Sequence, residues 1–200
     1  MTNQNKWGFP LIKRCDLVPD WLCQYRKTCK KTGVGATHFF IDDFRFESIW
    51  NDPQSALKYL HQPIVLSPDF SLYRDWPLAL QIWNTYRNRW CGAFWADSGY
   101  SVIPTVSWSG PESYDFCFSG LEPGGVVAIG TVGLEKKNEA IRSHFHVGFI
   151  EMINRLRPST VLCYGQVLTE ISQLAELELI TYPSFWEKKR KVTHGRTRRI

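Results

Sequence analysis

The 200-residue sequence lacks the features of a membrane or secreted protein. No apolar run approaches the roughly 18 to 20 residues that a membrane-spanning helix needs. The amino terminus, MTNQNKWGFPLIKR, has no basic segment followed by a long apolar stretch, so we expect no secretory signal. The six cysteines form no Cys-x-x-Cys pair. We therefore expect free thiols in a cytoplasmic protein.

Two metal-binding motifs are also missing. Cys15, Cys23, Cys29 and His38 are separated by seven, five and eight residues, spacings that match no common zinc site. His144 and His146 resemble the His-hydrophobe-His motif of rolling-circle nucleases, but they fall within a predicted helix, where residues two apart do not face each other. We predict no cofactor, and Mg²⁺ only if the protein is a nuclease.

Charge is distributed unevenly along the chain. Residues 1–35 carry a net charge of +5, residues 36–186 carry −6, and residues 187–200 carry +6. This pattern predicts an irregular basic lead-in over 1–35, a single α/β domain over 36–186 and a basic disordered tail over 187–200. A uniformly basic DNA-binding domain is not expected.

Short apolar runs that stop abruptly at polar residues are the most informative pattern. They are IVLSPDFS at 64–71, VIPTVSWS at 102–109, VVAIGTVG at 126–133 and TVLCYG at 160–165. Continuous apolar runs separated by helices are typical of parallel strands buried on both faces. We predict an α/β fold of parallel βα units, either an incomplete or compact TIM-barrel-like fold or an open doubly wound sheet.

Further strands are predicted at 36–42 and 178–183, which gives six in all, and a short helix is predicted near residue 20. Longer helices are predicted at 75–99, 137–156 and near 168–176. In the first of them Asp75 is placed at or near the N-cap. Its apolar stripe, which includes Ile82, Tyr86 and Trp90, is expected to face the core. Asn84, Arg87 and Asn88 are expected to form a solvated face.

Several of these phrases also resemble a known family. SPDFSLY, PLALQIWNTYRNRW, VIPTVSWS, AIGTVG and STVLCYG are similar to an uncharacterised bacterial and phage domain of unknown function, over roughly residues 37–165. This resemblance implies a phage or mobile-element context and no particular activity. The order of strand ends is similar to that of tRNA-guanine transglycosylase-like barrels, in which an Asp-bearing strand end precedes a Gly-containing end and a Val-Leu-x-x-Gly end.

Carboxylates at strand ends are the predicted catalytic residues. Ligands of parallel α/β folds bind at the carboxyl ends of the strands, where Asp69 follows Pro68. Asp69 is predicted to act as nucleophile, general base or metal ligand, or else to bind backbone N–H groups of the turn together with Ser71. Asp42 and Asp43 end the first predicted strand. Because neighbours on a strand point to opposite faces, only one of the two is expected to join Asp69.

The same edge carries predicted ligand-binding residues, and the tail carries predicted phosphate contacts. Aromatic and hydroxyl groups that suit a base or sugar are Ser71, Trp108, Ser109, Thr131 and Tyr164. The tail, KKRKVTHGRTRRI, can neutralise nucleic-acid phosphates. Its candidate nucleic-acid-binding residues are Lys188, Lys189, Arg190, Lys191, Arg196, Arg198 and Arg199.

Together these features predict a phage or mobile-element protein that engages DNA, RNA or nucleotides. If it is an enzyme, the predicted chemistry is cleavage or exchange at an N-glycosidic bond. Two alternatives stay open. One is a non-enzymatic host-takeover or anti-defence protein that binds a host protein, and the other is a metal-dependent nuclease that uses Asp42, Asp43 and Asp69.

Overall fold

The protein is a mixed α/β structure, and the part of the chain that the structure describes contains seven short parallel strands. The computed structural model describes residues 5–135, 138–172, 177–187 and 189. The strands are β1 (Trp21–Gln24), β2 (Gly35–His38), β3 (Ile64–Leu66), β4 (Ser101–Ile103), β5 (Val126–Gly130), β6 (Thr160–Tyr164) and β7 (Glu178–Tyr182). The predicted α/β class with parallel strands is therefore confirmed.

Six α-helices accompany these strands in the described part of the chain. They are α1 (Ser48–Asn51), α2 (Pro53–Ala56), α3 (Leu78–Asp97), α4 (Tyr114–Cys117), α5 (Glu139–Leu156) and α6 (Thr169–Ser172). Three single 3₁₀ turns lie at Asp43–Arg45, Leu57–Tyr59 and Pro111–Ser113. The helix expected near 168–176 is confirmed over α6, and residues 173–176 lie outside the described part. No helix among the described residues is long and apolar enough to cross a membrane.

The strands pair in chain order. One sheet has the order β1-β2-β3-β4 and the other the order β5-β6-β7, and every pair is parallel. A single bridge between Thr105 and Ala128 links the end of the first sheet to the start of the second. Neither sheet has the reversal of strand order that marks a doubly wound fold. The described residues do not show a closed barrel, because no strand pairing joins β7 to β1.

Strand faces divide the core into two clusters. One cluster, built from both sheets, includes Leu22, Ile64, Ile103, Ala128 and Leu162. Intervening strand residues such as Val65, Val127 and Val161 pack instead with the helices. Because both faces of β3, β5 and β6 are covered, their sequences are apolar runs rather than alternating ones.

The first 35 residues contain structure that the sequence did not indicate. β1 lies where a short helix was expected, and it pairs in parallel with β2. The apolar run Trp21–Cys23 is too short for periodicity to separate strand from helix, so its long-range pairing decides the outcome. Cys23 and Cys29 form a disulfide, which corrects the expectation of free thiols throughout.

Two helix predictions need correction. α3 begins at Leu78 with Pro77 as its N-cap, and Asp75 makes no cap. The predicted solvated face of α3 is buried: Asn84, Arg87 and Asn88 are inside, whereas Trp83 is 44% exposed. The apolar stripe misled the prediction because polar side chains of α3 find partners on the loops beneath the helix, as described below.

Candidate functional site

The loops that follow β3 and β4 meet at the carboxyl edge of the first sheet. The hydroxyl of Ser107 donates a 2.7 Å hydrogen bond to the Asp69 carboxylate. The two loops are also fastened at their bases, where the backbone N–H of Thr105 donates to the Ser67 hydroxyl at 2.8 Å. Asp69 thus lies just after β3, on a loop that is hydrogen-bonded to the loop after β4 through both Ser67 and Asp69.

The buried face of α3 fixes the Asp69 loop through a row of carboxamides. The side-chain amides of Gln81, Asn84 and Asn88 donate to the carbonyl oxygens of Trp76, Ser71 and Pro68 at 2.8, 2.7 and 2.7 Å. Residues at these spacings lie on one helix face. Each amide therefore satisfies one carbonyl of the segment 68–76, and this row of carboxamides explains why α3 buries polar groups.

Only one of the two neighbouring aspartates turns toward this loop. Asp43 accepts hydrogen bonds of 3.0 Å from both the backbone N–H and the hydroxyl of Ser71. Asp42 is exposed and its side chain does not cap the 3₁₀ turn that follows it. β2 ends at His38, so this divergence arises in the loop rather than from strand alternation.

Burial and charge raise the pKa of both inward-facing carboxyls. The pKa of Asp69 rises to about 6, mainly because burial disfavours the carboxylate; the Ser107 hydrogen bond opposes the rise and the Asp43 charge adds to it. Burial also raises the pKa of Asp43, against the hydrogen bonds from Ser71 and the charge of Arg87. A carboxyl with a pKa of about 6 is present in both protonation states near neutral pH.

An aromatic group lies beside Asp69. The rings of Phe40 and Tyr164 stack with their centroids 4.9 Å apart, and His38 lies 4.5 Å from Tyr164. Gly130, at the end of β5, makes room for this arrangement. A Cβ at that position would stand 2.9 Å from the Phe40 ring and 3.6 Å from the Asp69 carboxylate. Asp69, Phe40 and Gly130 are therefore immediate neighbours.

An open cleft of about 350 Å³ begins one residue further along the chain. Thr131, Gly165 and Trp186 are among its lining residues, so it lies at the carboxyl ends of β5, β6 and β7. Trp186 is 57% exposed. Thr131 is buried, and its hydroxyl donates to the Gln166 carbonyl at 2.8 Å. Asp69 does not line the cleft, but Gly130 beside it precedes Thr131, so both features share the end of β5.

Trp108 and Ser109 lie away from this group of residues. Trp108 packs on α5, where its Nε1 would stand 2.1 Å from a Cβ at Gly148, and its ring centroid is 4.9 Å from that of Phe145. The buried hydroxyl of Ser109 donates to Gln81, and its carbonyl lies 2.6 Å from His144 Nε2. Of the predicted site residues, Asp69, Ser71, Thr131 and Tyr164 thus lie at the carboxyl edge of the strands, and Trp108 and Ser109 do not.

The described residues of this site do not include a group of side chains suited to bind a metal ion. In the part of the chain that the structure describes, no three His, Cys, Asp or Glu side chains group to hold a metal ion. Asp42, Asp43 and Asp69 accordingly do not form one. Of the predicted tail contacts only Lys189 is described; it is exposed, with its Nζ 5.7 Å from the Trp186 ring centroid. Lys188, Arg190, Lys191, Arg196, Arg198 and Arg199 lie outside the described residues.

Sequence reasoning missed three contributors to this site. Phe40 was not selected because it lies within the predicted strand 36–42, and His38 was considered only as a zinc ligand. Ser107 was passed over between two residues that were chosen from the same phrase, TVSWS. Its position two residues beyond Thr105, at the second of two adjacent strand ends, is a signal that points to it.

These observations define an α/β protein of parallel βα units with a carboxylate and an aromatic group at the carboxyl edge of its strands. The chain belongs to the DUF4417 family, a domain of unknown function whose family model matches residues 1–183. The predicted membership of an uncharacterised phage family is therefore confirmed. No solved structure matches the chain.

Two similar proteins come from mycobacteriophages. The "Gene 1 protein" of Mycobacterium phage L5 is 38% identical over 195 residues, which cover 94% of this chain and 84% of that protein. The "Gene 1 protein" of Mycobacterium phage D29 is 40% identical over 158 residues, or 78% of this chain and 58% of that protein. The chain thus spans little more than half the length of the D29 relative.

Proposed function

We propose that the protein binds a nucleoside unit of a nucleotide or nucleic acid at this edge and acts on its N-glycosidic bond through Asp69. The observation that carries the proposal is the placement of Asp69. Its carboxyl has a raised pKa, is oriented by Ser107 and lies beside the Phe40 ring and Gly130. Active sites of parallel α/β barrels lie at the carboxyl ends of their strands, and burial raises the pKa of catalytic carboxyl groups.

The cleft supports the proposal by offering a place for the base. Trp186 is an exposed indole on its wall, and stacking on an aromatic side chain favours any nucleobase by about 1–3 kcal/mol. Polar side chains of the cleft, Glu135 and Gln166 among them, supply polar partners for a sugar or a base edge. In this arrangement the base occupies the cleft and the sugar reaches toward Gly130 and Asp69.

Asp69 is the nucleophile of the proposed reaction. As a carboxylate it attacks the anomeric carbon while the C–N bond breaks and the base leaves with the bonding electrons. Water, or a second base in exchange, then attacks the same carbon and displaces the Asp69 carboxylate, and the proton lost by the attacking group passes to the departed base. Because its pKa is about 6, the deprotonated form is available at neutral pH.

Base release from a nucleic acid tests this proposal. Single-stranded DNA and RNA oligonucleotides are incubated with the protein, and free bases and abasic products are measured by mass spectrometry. We expect release that Asp69→Asn abolishes. Asp97→Asn, at an exposed carboxylate at the end of α3, is the matched control and is expected to retain it. Equal release by wild type and Asp69→Asn would remove Asp69 from the mechanism.

The basic tail stays part of the proposal as a phosphate anchor. Truncation to residues 1–186 removes all seven candidate cations of the tail. We expect the truncated chain to bind single-stranded DNA more weakly and with a shallower salt dependence, because fewer counterions are released. If the truncated chain binds with the same salt dependence as the full chain, the tail does not contact the phosphates.

One observation favours the alternative of a host-protein partner. The outer face of α3 presents Trp83 and Leu80, which are 44% and 48% exposed, and Trp83 contacts the Trp50 ring at 5.1 Å. Exposed apolar patches mark protein-binding surfaces. Substitution of Leu80 and Trp83 by Ser would abolish capture of a host protein on this reading and leave base release unchanged.

A further inference from the structure

The loop between β1 and β2 carries a dense group of positive charges. Four of the six residues from 26 to 31 are basic: Arg26, Lys27, Lys30 and Lys31. No acidic residue occurs between Asp20 and Asp42, and all four cations are exposed. Among the described residues, none of the four forms an ion pair with a carboxylate. We call residues 25–34 the basic loop.

The basic loop has a defined conformation. The Cys23–Cys29 disulfide ties its first half to the end of β1. Its second half is fastened by the Asp20 carboxylate, which accepts from the Val34 N–H at 2.7 Å, and by Trp21 Nε1, which donates to the Thr32 carbonyl at 2.9 Å. Its positive charges are therefore held on a short, closed segment instead of a free chain end.

Two of the cations are also positioned by side chains. The Arg26 guanidinium lies 4.8 Å from the Tyr59 ring centroid and donates to the Ser48 hydroxyl at 3.0 Å. Lys31 Nζ lies 5.8 Å from the Trp21 ring centroid. These contacts orient the charges without neutralising them, so the charges remain available to an anion.

The basic loop starts at the edge that holds the candidate site. β1 and β2 are parallel, and the Tyr25 N–H donates to the His38 carbonyl at 3.0 Å. The His38 ring in turn contacts Tyr164. Arg26 and Lys27 thus follow the strand end at the same edge as Asp69, whereas Lys31 lies back near Trp21 at the start of β1. Lys13 and Arg157 lie near the opposite strand ends, since Arg157 precedes β6 and Lys13 follows Ile12, which pairs with Leu121 ahead of β5.

We propose that the basic loop binds the phosphodiester backbone of a nucleic-acid strand and holds it across the edge where Asp69 lies. This inference rests on the proposed function and names a nucleic acid, not a free nucleoside, as its ligand. Exposed lysines neutralise phosphates and release counterions, which gives affinity without sequence preference. The nucleobase of the nucleotide held at this edge is then the one that enters the cleft.

Salt-dependent binding of a fluorescent single-stranded DNA oligonucleotide to the full chain tests the basic loop. In Arg26→Glu/Lys27→Glu we expect about tenfold weaker binding near 100 mM salt and a log–log salt slope shallower by about 1.4, since about 0.7 counterions are released per phosphate on a single strand. Lys13→Glu/Arg157→Glu changes the net charge equally at the opposite end and is expected to keep the wild-type slope.

Three results would overturn the basic loop as a phosphate site: no binding by wild type at low salt, an unchanged slope in the loop variant, or equal losses in both variants. Free-nucleoside binding, measured in parallel, separates this failure from failure of the proposed function. A loop variant that loses the oligonucleotide but keeps the nucleoside supports the inference. Loss of both by a folded loop variant would contradict a separate role for the basic loop.

Discussion

The Ser107 hydroxyl and the Asp69 carboxylate form a 2.7 Å hydrogen bond between the loops after β3 and β4. The bond joins residues that are 38 positions apart and fixes the orientation of the carboxyl group. It also partly offsets the cost of burying that carboxylate, although the pKa of Asp69 still rises to about 6. The folded protein therefore favours a protonated Asp69 more than the unfolded chain does.

Asp69→Asn is expected to stabilise the protein above pH 7. Folding raises the pKa of this carboxyl. As the pH rises from about 4 to 6, the unfolded chain loses the proton before the folded protein does, so the folded state becomes less stable relative to the unfolded state. Asparagine keeps an acceptor for Ser107 and carries no charge. We expect a gain of about 1–3 kcal/mol in the free energy of unfolding at pH 7.5, and none at pH 3.5, measured by urea denaturation. A constant difference at both pH values would contradict the raised pKa.

Asn88→Ala is expected to be strongly destabilising. It removes an amide that donates to the carbonyls of Pro68 and Thr105, and it leaves the Ser67 hydroxyl without its acceptor. Such buried losses cost about 2–4 kcal/mol in total. Gln54→Ala, on the exposed face of α2, is expected to change stability by no more than about 0.5 kcal/mol. Similar small effects at both positions would show that the row of carboxamides contributes little.

The same row of carboxamides shows where sequence reasoning fails. The pattern of Val and Ile runs correctly predicted parallel strands starting at Ile64, Val126 and Thr160, because buried strands are selected for apolar residues on both faces. It misassigned the faces of α3, because hydrophobicity cannot reveal that Asn84 and Asn88 have carbonyl partners on a neighbouring loop. Asp69 was predicted from its strand end, but Ser107 and Phe40 are brought to it only by the folded chain.

Gly130→Ala is expected to disturb the site. The added methyl group would stand 2.9 Å from the Phe40 ring, so Phe40 must move from its stacked position on Tyr164. We expect a loss of about 1–3 kcal/mol in stability together with reduced base release. In Gly110→Ala the three atoms nearest the new methyl all belong to the flexible Glu112 carboxylate. That variant is the control, and an effect on base release as large as that of Gly130→Ala would argue against a special role for Gly130.

The Cys23–Cys29 disulfide is expected to contribute about 2 kcal/mol to stability, as the loss of chain entropy on closing a short loop predicts. Cys23→Ser/Cys29→Ser removes it without a large change in side-chain volume. Urea denaturation of this variant, compared with wild type under oxidising and reducing conditions, measures the contribution. We expect reduced wild type to match the double variant. Identical stability of all samples would mean that the bond does not support the fold.

Isothermal titration of the common nucleosides into wild type, Trp186→Ala and Phe185→Ala tests the central claim most directly. Trp186 lines the cleft, whereas its neighbour Phe185 is equally exposed and does not. We expect at least one nucleoside to bind wild type, Trp186→Ala to bind it about tenfold or more weakly through loss of stacking, and Phe185→Ala to bind within about twofold of wild type. Absence of binding by every nucleoside at millimolar concentration, or equal losses in both variants, would contradict a nucleoside site at this edge.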